Sequence, residues 1–303
     1  MIRHTPLTGL VPAALTPFGP DGELNLAAVE HQAELALRDG LTAVFVGGTT
    51  GEFASLTVGE RKTLARRWAA VARGTPLRVV VHAGANCLAD AREIAAEAEA
   101  VGAAAVATVA PSYFKPKTPE SLADWCRAVA AAAPGTPFYF YDIPAMTGVA
   151  FPMPEFAEAF ADSIPTFVGV KFSNPDLAAF QRLLRACGGR LDVLWGTDEY
   201  LLAALALGGE GAVGSTYNFA APLFHRMIGA FRSGDLAAAR EEQFRAVELI
   251  GLLMRYGYLA AAKEVMRLRG VDLGPVRPPN PNLTEKDAAV LRRELEAFGE
   301  VIG

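Results

Sequence analysis

No run of about 18 or more apolar residues occurs in this 303-residue sequence, so no helix is expected to cross a membrane. The opening stretch MIRHTPLTGLVPAALTPF interrupts its apolar residues with Pro and Gly where a secretory leader needs a continuous core, so none is expected there. Cysteine is scarce. Cys87, Cys126 and Cys187 are odd in number and lack CxxC spacing. They read as reduced thiols in a cytoplasmic protein, not as a disulfide framework. His4, His31, His82 and His225 are scattered, with no HxxxH or similar ligand spacing, so no metal site is expected. His82 reads as a packed rim or core histidine. The net charge of −5 is spread over interspersed acids and bases, and no basic face for nucleic acid emerges. One glycine pattern is misleading. Gly209–Gly214 matches GxGxxG, but a helix precedes it and Asp235 reads as an N-cap, so a nucleotide site is not expected.

What is present is a repeated unit. Short apolar segments recur at Leu10–Leu15, Thr42–Val46, Arg78–His82, Ala104–Val109, Pro137–Tyr141, Phe167–Phe172, Asp192–Trp195 and Gly211–Val213. Most are nearly continuous in Val, Phe and Tyr, the mark of strands buried on both faces of a parallel sheet. Helical stretches lie between them. Thr57 with Glu60 spells a capping box, Thr118 is a second N-cap, and Gly40, Gly74, Gly102 and Gly188 stop helices. Eight strand–helix pairs predict an α/β fold, a (β/α)8 TIM barrel over residues 1–234. Residues 235–303 predict a C-terminal helical extension packed on the barrel, with helix over roughly 235–269 and 284–300 around a Pro- and Gly-rich link.

Chemistry in such a barrel belongs at the C-terminal ends of its strands. There FVGVKFSN places Lys171 among apolar residues, whereas Lys62, Lys115, Lys117, Lys263 and Lys286 fall on helices or polar loops. Burying an ammonium group costs several kcal/mol unless it is paired, and lowers its pKa. Two readings fit: an amine nucleophile able to form a Schiff base, or a structural lysine paired with a carboxylate or snorkelling at the rim. Strand 2 ends in GGTTGEF, whose N–H groups and Thr49 and Thr50 hydroxyls suit a carboxylate, or simply make a tight turn with Glu52 as its brace. Strand 5 ends in YDIPAMTG, with the Tyr141 phenol placed to move protons or to fill the rim. Strand 7 ends in GTDE, where Asp198 and Glu199 suit sugar hydroxyls or a helix N-terminus. Strand 8 ends in the polar loop GSTYN, containing Ser215, Thr216, Tyr217 and Asn218.

In this order GGTTGE, YDIPAMTG and GVKFS resemble the class I pyruvate-dependent aldolase and lyase superfamily, which includes N-acetylneuraminate lyase and dihydrodipicolinate synthase. The resemblance covers nearly the whole chain. It implies an imine-forming enzyme with Lys171, Tyr141 and Thr49 catalytic and Thr49 and Thr50 on the substrate carboxylate. The synthase branch carries Arg after the Tyr-x-x-Pro turn, where this chain has Met146. It also carries a second Tyr after strand 4 that reaches a neighbouring subunit, where this chain has Tyr113 followed by Phe114. IPAMTGV, GVKFSNPDL, GTDE and GAVGSTYN instead resemble the sialic acid lyases, which implies that Ser173, Gly196, Asp198, Glu199 and Ser215 hold a polyhydroxyl tail. Asp142 is not the usual residue at its position, and is expected to alter which tail or N-acyl group fits. The resemblance implies cleavage of a 2-keto-3-deoxy sugar acid to pyruvate and an aldehyde. The iminium is the electrophile, no cofactor is expected, and a homotetramer is implied. Alternatives are a sister aldolase or dehydratase for another such acid, dihydrodipicolinate synthase, and a barrel that binds keto acids without turnover.

Overall fold

A computed structural model describes residues 2 and 4–299. Eight strands run Gly9–Pro12 (β1), Ala43–Val46 (β2), Arg78–His82 (β3), Ala105–Val109 (β4), Phe138–Asp142 (β5), Phe167–Phe172 (β6), Asp192–Trp195 (β7) and Gly211–Gly214 (β8). All pair in parallel, in the order β1-β8-β7-β6-β5-β4-β3-β2. The two ends of that order meet. Ala13 bridges Phe45, and the Ala14 N–H donates to the Phe45 carbonyl at 2.9 Å. The sheet therefore closes on itself as a (β/α)8 barrel. The first strand is shorter than the sequence pattern predicts: the Ala13 N–H still donates to the Gly214 carbonyl at 2.8 Å, but Pro12 has no N–H to offer β2, and the bridge to that strand stays isolated at Ala13–Phe45.

Helices follow the strands in turn: Ala28–Arg38, Val58–Ala72, Leu88–Ala100, Pro119–Ala130, Met153–Phe160, Leu177–Leu183, Leu201–Ala206 and Tyr217–Arg232. Both predicted caps form. Thr57 and Glu60 exchange capping-box bonds, and Thr118 does the same with Ser121. Strand alternation separates two cores. Trp68, Ile94, Phe140, Phe180, Trp195 and Phe224 face the helix layer, while Val11, Phe45, Val80, Tyr139, Tyr141 and Leu194 fill the barrel interior.

One irregularity decides where β6 points. The register with β5 shifts between Phe138 and Tyr139, so Phe138 pairs Phe167 and Tyr139 pairs Gly169. Val168 is the extra residue of a bulge. Without it Lys171 would lie opposite Asp142; with it Lys171 lies opposite Tyr141 and shares its inward face. Gly169 is forced here, since a Cβ would stand 1.9 Å from the Asp192 carbonyl.

The GxGxxG stretch runs into β8, and Asp235 caps the next helix by accepting from the Ala238 N–H at 3.0 Å. The helix Leu236–Arg255 packs on Tyr217–Arg232 and buries Ala239, Ala246, Leu249 and Leu253. The continuous helix expected over 235–269 is instead broken. Gly257 takes φ 78°, and a new helix, Tyr258–Leu268, starts after it. Only a residue without a Cβ reaches that conformation cheaply, so the turn falls at Gly257. A last helix covers Glu285–Leu295. Among the described residues no helix is long and apolar enough to cross a membrane.

Candidate active site

The C-terminal end of β6 presents Lys171 inside the barrel, 3% exposed. Its Nζ stands 3.9 Å from the Tyr141 ring centre and 4.1 Å from that of Phe45. Among the described residues no carboxylate lies within ion-pairing distance of it, so the structural-pair reading does not hold. Lys263 gives the contrast. Lys263 falls on a helix, as expected, but it too is buried, 4% exposed. Its Nζ, however, lies 3.0 Å from Glu52 and donates to the Pro275 carbonyl at 2.6 Å. Burial depresses the Lys263 pKa and Glu52 opposes the shift. One buried amine is therefore tied down and the other faces aromatic rings.

The Glu52–Lys263 pair braces the GGTTGEF turn against the C-terminal link. Glu52 adopts φ 54° and accepts the Arg277 N–H at 2.8 Å. Arg277 also bonds the Gly22 and Ser55 carbonyls, and its contact holds the Glu60 carboxyl down to about 2. Removing one partner of a buried pair leaves an uncompensated charge. Lys263→Met is expected to cost about 3–5 kcal/mol in urea denaturation, with part recovered by adding Glu52→Gln. An unchanged midpoint in Lys263→Met would refute this brace.

Within that turn Thr49 and Thr50 are half-buried. Thr49 Oγ1 lies 3.4 Å from Tyr141 Oη, so the hydroxyl, the phenol and the Lys171 amine share one spot. Thr50 makes no side-chain bond to the other candidates. A Cβ on Gly48 would stand 2.7 Å from the Phe45 ring, which requires glycine where the turn approaches the ring beneath Lys171. A cavity of ≈ 320 Å³ is lined by Thr49, Phe53, Ile143, Met146, Leu259 and Asn280 among others.

The expected tail residues form a second group. Ser173 Oγ is buried without a partner and stands 2.0 Å from where a Cβ on Gly196 would be. Asp198 accepts the Thr216 N–H at 2.9 Å, and would overlap any side chain at position 214. Burial pushes the Asp198 carboxyl up, with Thr216 and then Lys171 opposing. Burial likewise raises Glu199, aided by the Asp198 charge. Ser215 bonds not to these acids but to Tyr258 Oη, at 2.7 Å, and Thr216 Oγ1 lies 3.1 Å from the same oxygen. Tyr258 was not singled out in the sequence. It follows the Gly257 break, and that glycine is the one local sign of a turn back toward the mouth. None of Ser173, Gly196, Asp198, Glu199 or Ser215 lines the cavity beside Thr49.

A family profile described as the dihydrodipicolinate synthetase family matches residues 6–298. The chain belongs to that family. Within the family it is 40% identical over 302 residues to N-acetylneuraminate lyase of Gallus gallus, covering 98% of each chain. Among solved structures it is similar to Proteus mirabilis N-acetylneuraminate lyase, with TM-score 0.95, 38% identity, and coverage of 97% and 99% of the two chains. It is also similar to a Ruminococcus gnavus sialic acid aldolase described as a catalytic lysine mutant, with TM-score 0.93, 27% identity, and coverage of 99% and 98%. The three residues set against the synthase branch are on the surface: Met146 is 63% exposed, and Tyr113 and Phe114 are 78% and 86% exposed.

Asp142 ends β5 one residue past the phenol. Its carboxylate accepts from Asn174 Nδ2 at 3.2 Å and bonds none of the expected tail residues. Its backbone carbonyl accepts the Ser173 N–H at 2.8 Å, so the ends of β5 and β6 are tied together here. Burial raises the carboxyl from 3.8 to about 7, with Asn174 opposing. A raised folded pKa means the folded state holds the proton more tightly. The stabilisation is full below the unfolded value and is lost as pH rises through about 7. Asp142→Asn removes that dependence. Relative to the variant, the wild type is expected to lose several kcal/mol of stability between about pH 4 and pH 8. Thermal melts across that range check it, and parallel curves would contradict it.

Proposed function

We propose that this chain cleaves N-acetylneuraminate to pyruvate and N-acetylmannosamine through an imine on Lys171. The observation that carries the reading is the Lys171 amine, buried without an ion-pair partner among the described residues, beside a phenol that is itself within reach of a threonine hydroxyl. The Lys171 nitrogen adds to the C2 ketone and water leaves, giving an iminium. The Thr49 and Thr50 hydroxyls and the turn's N–H groups hold the C1 carboxylate. Tyr141 takes the proton of the C4 hydroxyl, with Thr49 as relay. The C3–C4 bond breaks, its electron pair moves into the iminium, and the C4 carbon departs as the aldehyde. The resulting enamine is protonated at C3, and hydrolysis returns pyruvate and the free amine. The iminium supplies the electron sink, so the sequence of steps calls on no cofactor. Ser173, Gly196, Asp198, Glu199 and Ser215 hold the sugar tail in this reading.

Curated relatives bearing the lyase name support the substrate, and Met146 in place of an arginine speaks against an aldehyde carrying a second carboxylate. We place the enzyme in the cytoplasm as a homotetramer, acting on a small keto acid and on neither nucleic acid nor membrane. The solvent-facing Tyr113–Phe114 pair, stacked edge to face at 5.0 Å, supports a subunit contact at the mouth. Pyruvate release from N-acetylneuraminate, compared with 2-keto-3-deoxygluconate and 2-keto-3-deoxyarabonate, tests the substrate. Preference for the first by kcat/KM is expected. Preference for either of the others would transfer the chemistry to a sister reaction.

A further inference from the structure

His82 closes β3 in the barrel interior and is 1% exposed. Its Nδ1 lies 2.8 Å from the Gly47 carbonyl. A carbonyl only accepts, so Nδ1 carries the proton. Its Nε2 is buried and finds no partner among the described residues. A second proton there would have no acceptor among the described residues, and the Arg61 guanidinium already stands 3.5 Å from Nδ1. Arg61, 6% exposed, donates to the His82 carbonyl at 2.7 Å and to the Gly84 carbonyl at 2.8 Å. Among the described residues it has no carboxylate within ion-pairing distance. Burial first, then the Arg61 charge, then that of Lys171, hold the imidazolium form well below the usual histidine range, with only the Gly47 bond opposing. His82 is thus a neutral ring of fixed tautomer.

The ring touches each part of the site that must be aimed. Gly47, whose carbonyl it holds, takes φ 67° and opens the turn carrying Thr49 and Thr50. The ring meets Tyr141 edge to face at 5.8 Å. It lies 5.9 Å from the Phe45 ring, over which Lys171 Nζ sits, and 4.7 Å from Phe53. Among the described residues no other side chain bonds the turn while meeting both the Tyr141 and Phe45 rings.

We propose that His82 is a positioning residue for this reaction: its Nδ1–H sets the Gly47–Thr50 turn for the keto-acid carboxylate, and its ring sets Tyr141. The inference rests on the imine reading above. His82 reaches no reacting atom itself. A misplacement of the order of 1 Å at such a site costs about a hundredfold in rate or binding.

The test compares three substitutions with the wild type. Leucine removes the donor. Asparagine returns an N–H near the Nδ1 position. Glutamine, one methylene longer, places its amide near Nε2 instead. His82→Leu is expected to raise KM for the keto acid by about 10- to 100-fold, with a smaller fall in kcat. His82→Asn is expected to recover most of that rise, and His82→Gln to recover little. An unchanged KM in His82→Leu, or asparagine no better than leucine, would overturn the proposal. Because a core variant may fold poorly, the wild type supplies an independent readout. With four histidines, ¹⁵N-histidine labelling resolves each ring. One is expected to stay in the Nδ1–H form from about pH 5 to 9, with its proton signal shifted by saturating pyruvate. Titration of His82 in that range, or an Nε2–H tautomer, would overturn it. Borohydride trapping of pyruvate on wild-type Lys171 tests the underlying reading separately, since it does not depend on any His82 variant.

Discussion

Lys171→Ala is expected to abolish turnover, lowering kcat by about 10⁵-fold or more, to the background of the uncatalysed reaction. The size follows from the chemistry. Without the amine no iminium forms, and nothing else at the mouth offers an electron sink for the C3–C4 bond pair. Lys263 cannot substitute, since its Nζ is held by Glu52 and the Pro275 carbonyl. The fold is expected to survive, because the substitution removes a buried amine with no ion-pair partner among the described residues and leaves a space against the Phe45 and Tyr141 rings. Circular dichroism with a pyruvate-release assay separates the two effects. A folded Lys171→Ala protein with activity within tenfold of the wild type would end the imine account.

Tyr141→Phe is expected to lower kcat by about 10²- to 10⁴-fold, the usual range for a positioned proton-transfer group. The ring stays, so its packing on Phe45 and its face toward Lys171 Nζ are retained, and only the hydroxyl near Thr49 is lost. The imine with pyruvate is therefore still expected to form and to be trapped by borohydride. A variant that binds and traps pyruvate yet cleaves slowly would place the phenol in bond breaking. A kcat within about threefold of the wild type would remove Tyr141 from the proton path.

The barrel was legible because parallel strands covered on both faces must be apolar along their length, and most of the eight segments stood out for that reason. The lysine was legible for the opposite reason: a charge inside FVGVKF needs an explanation. The bulge at Val168 left no mark on the pattern, although it turns Lys171 toward Tyr141. Tyr258 was missed because its role depends on a helix returning across the mouth, and helical periodicity describes only which face is buried. Lys263 was missed similarly. In YLAAAKEVMRL it reads as one polar position on an amphipathic helix, while its partner Glu52 lies 211 residues earlier in the chain. His82 was read as packing, which is correct about burial. Its bond to Gly47 joins two strand ends that the sequence keeps 35 positions apart. In each case local chemistry was readable, and the pairing that gives it a task is a property of the closed barrel.

Incubation with pyruvate and borohydride, followed by digestion and peptide mass mapping, tests the central claim most directly. The account predicts one reduced pyruvate adduct per chain, on the peptide containing Lys171, with Lys263 unmodified. Active protein that gains no adduct, or carries it on another lysine, would contradict it.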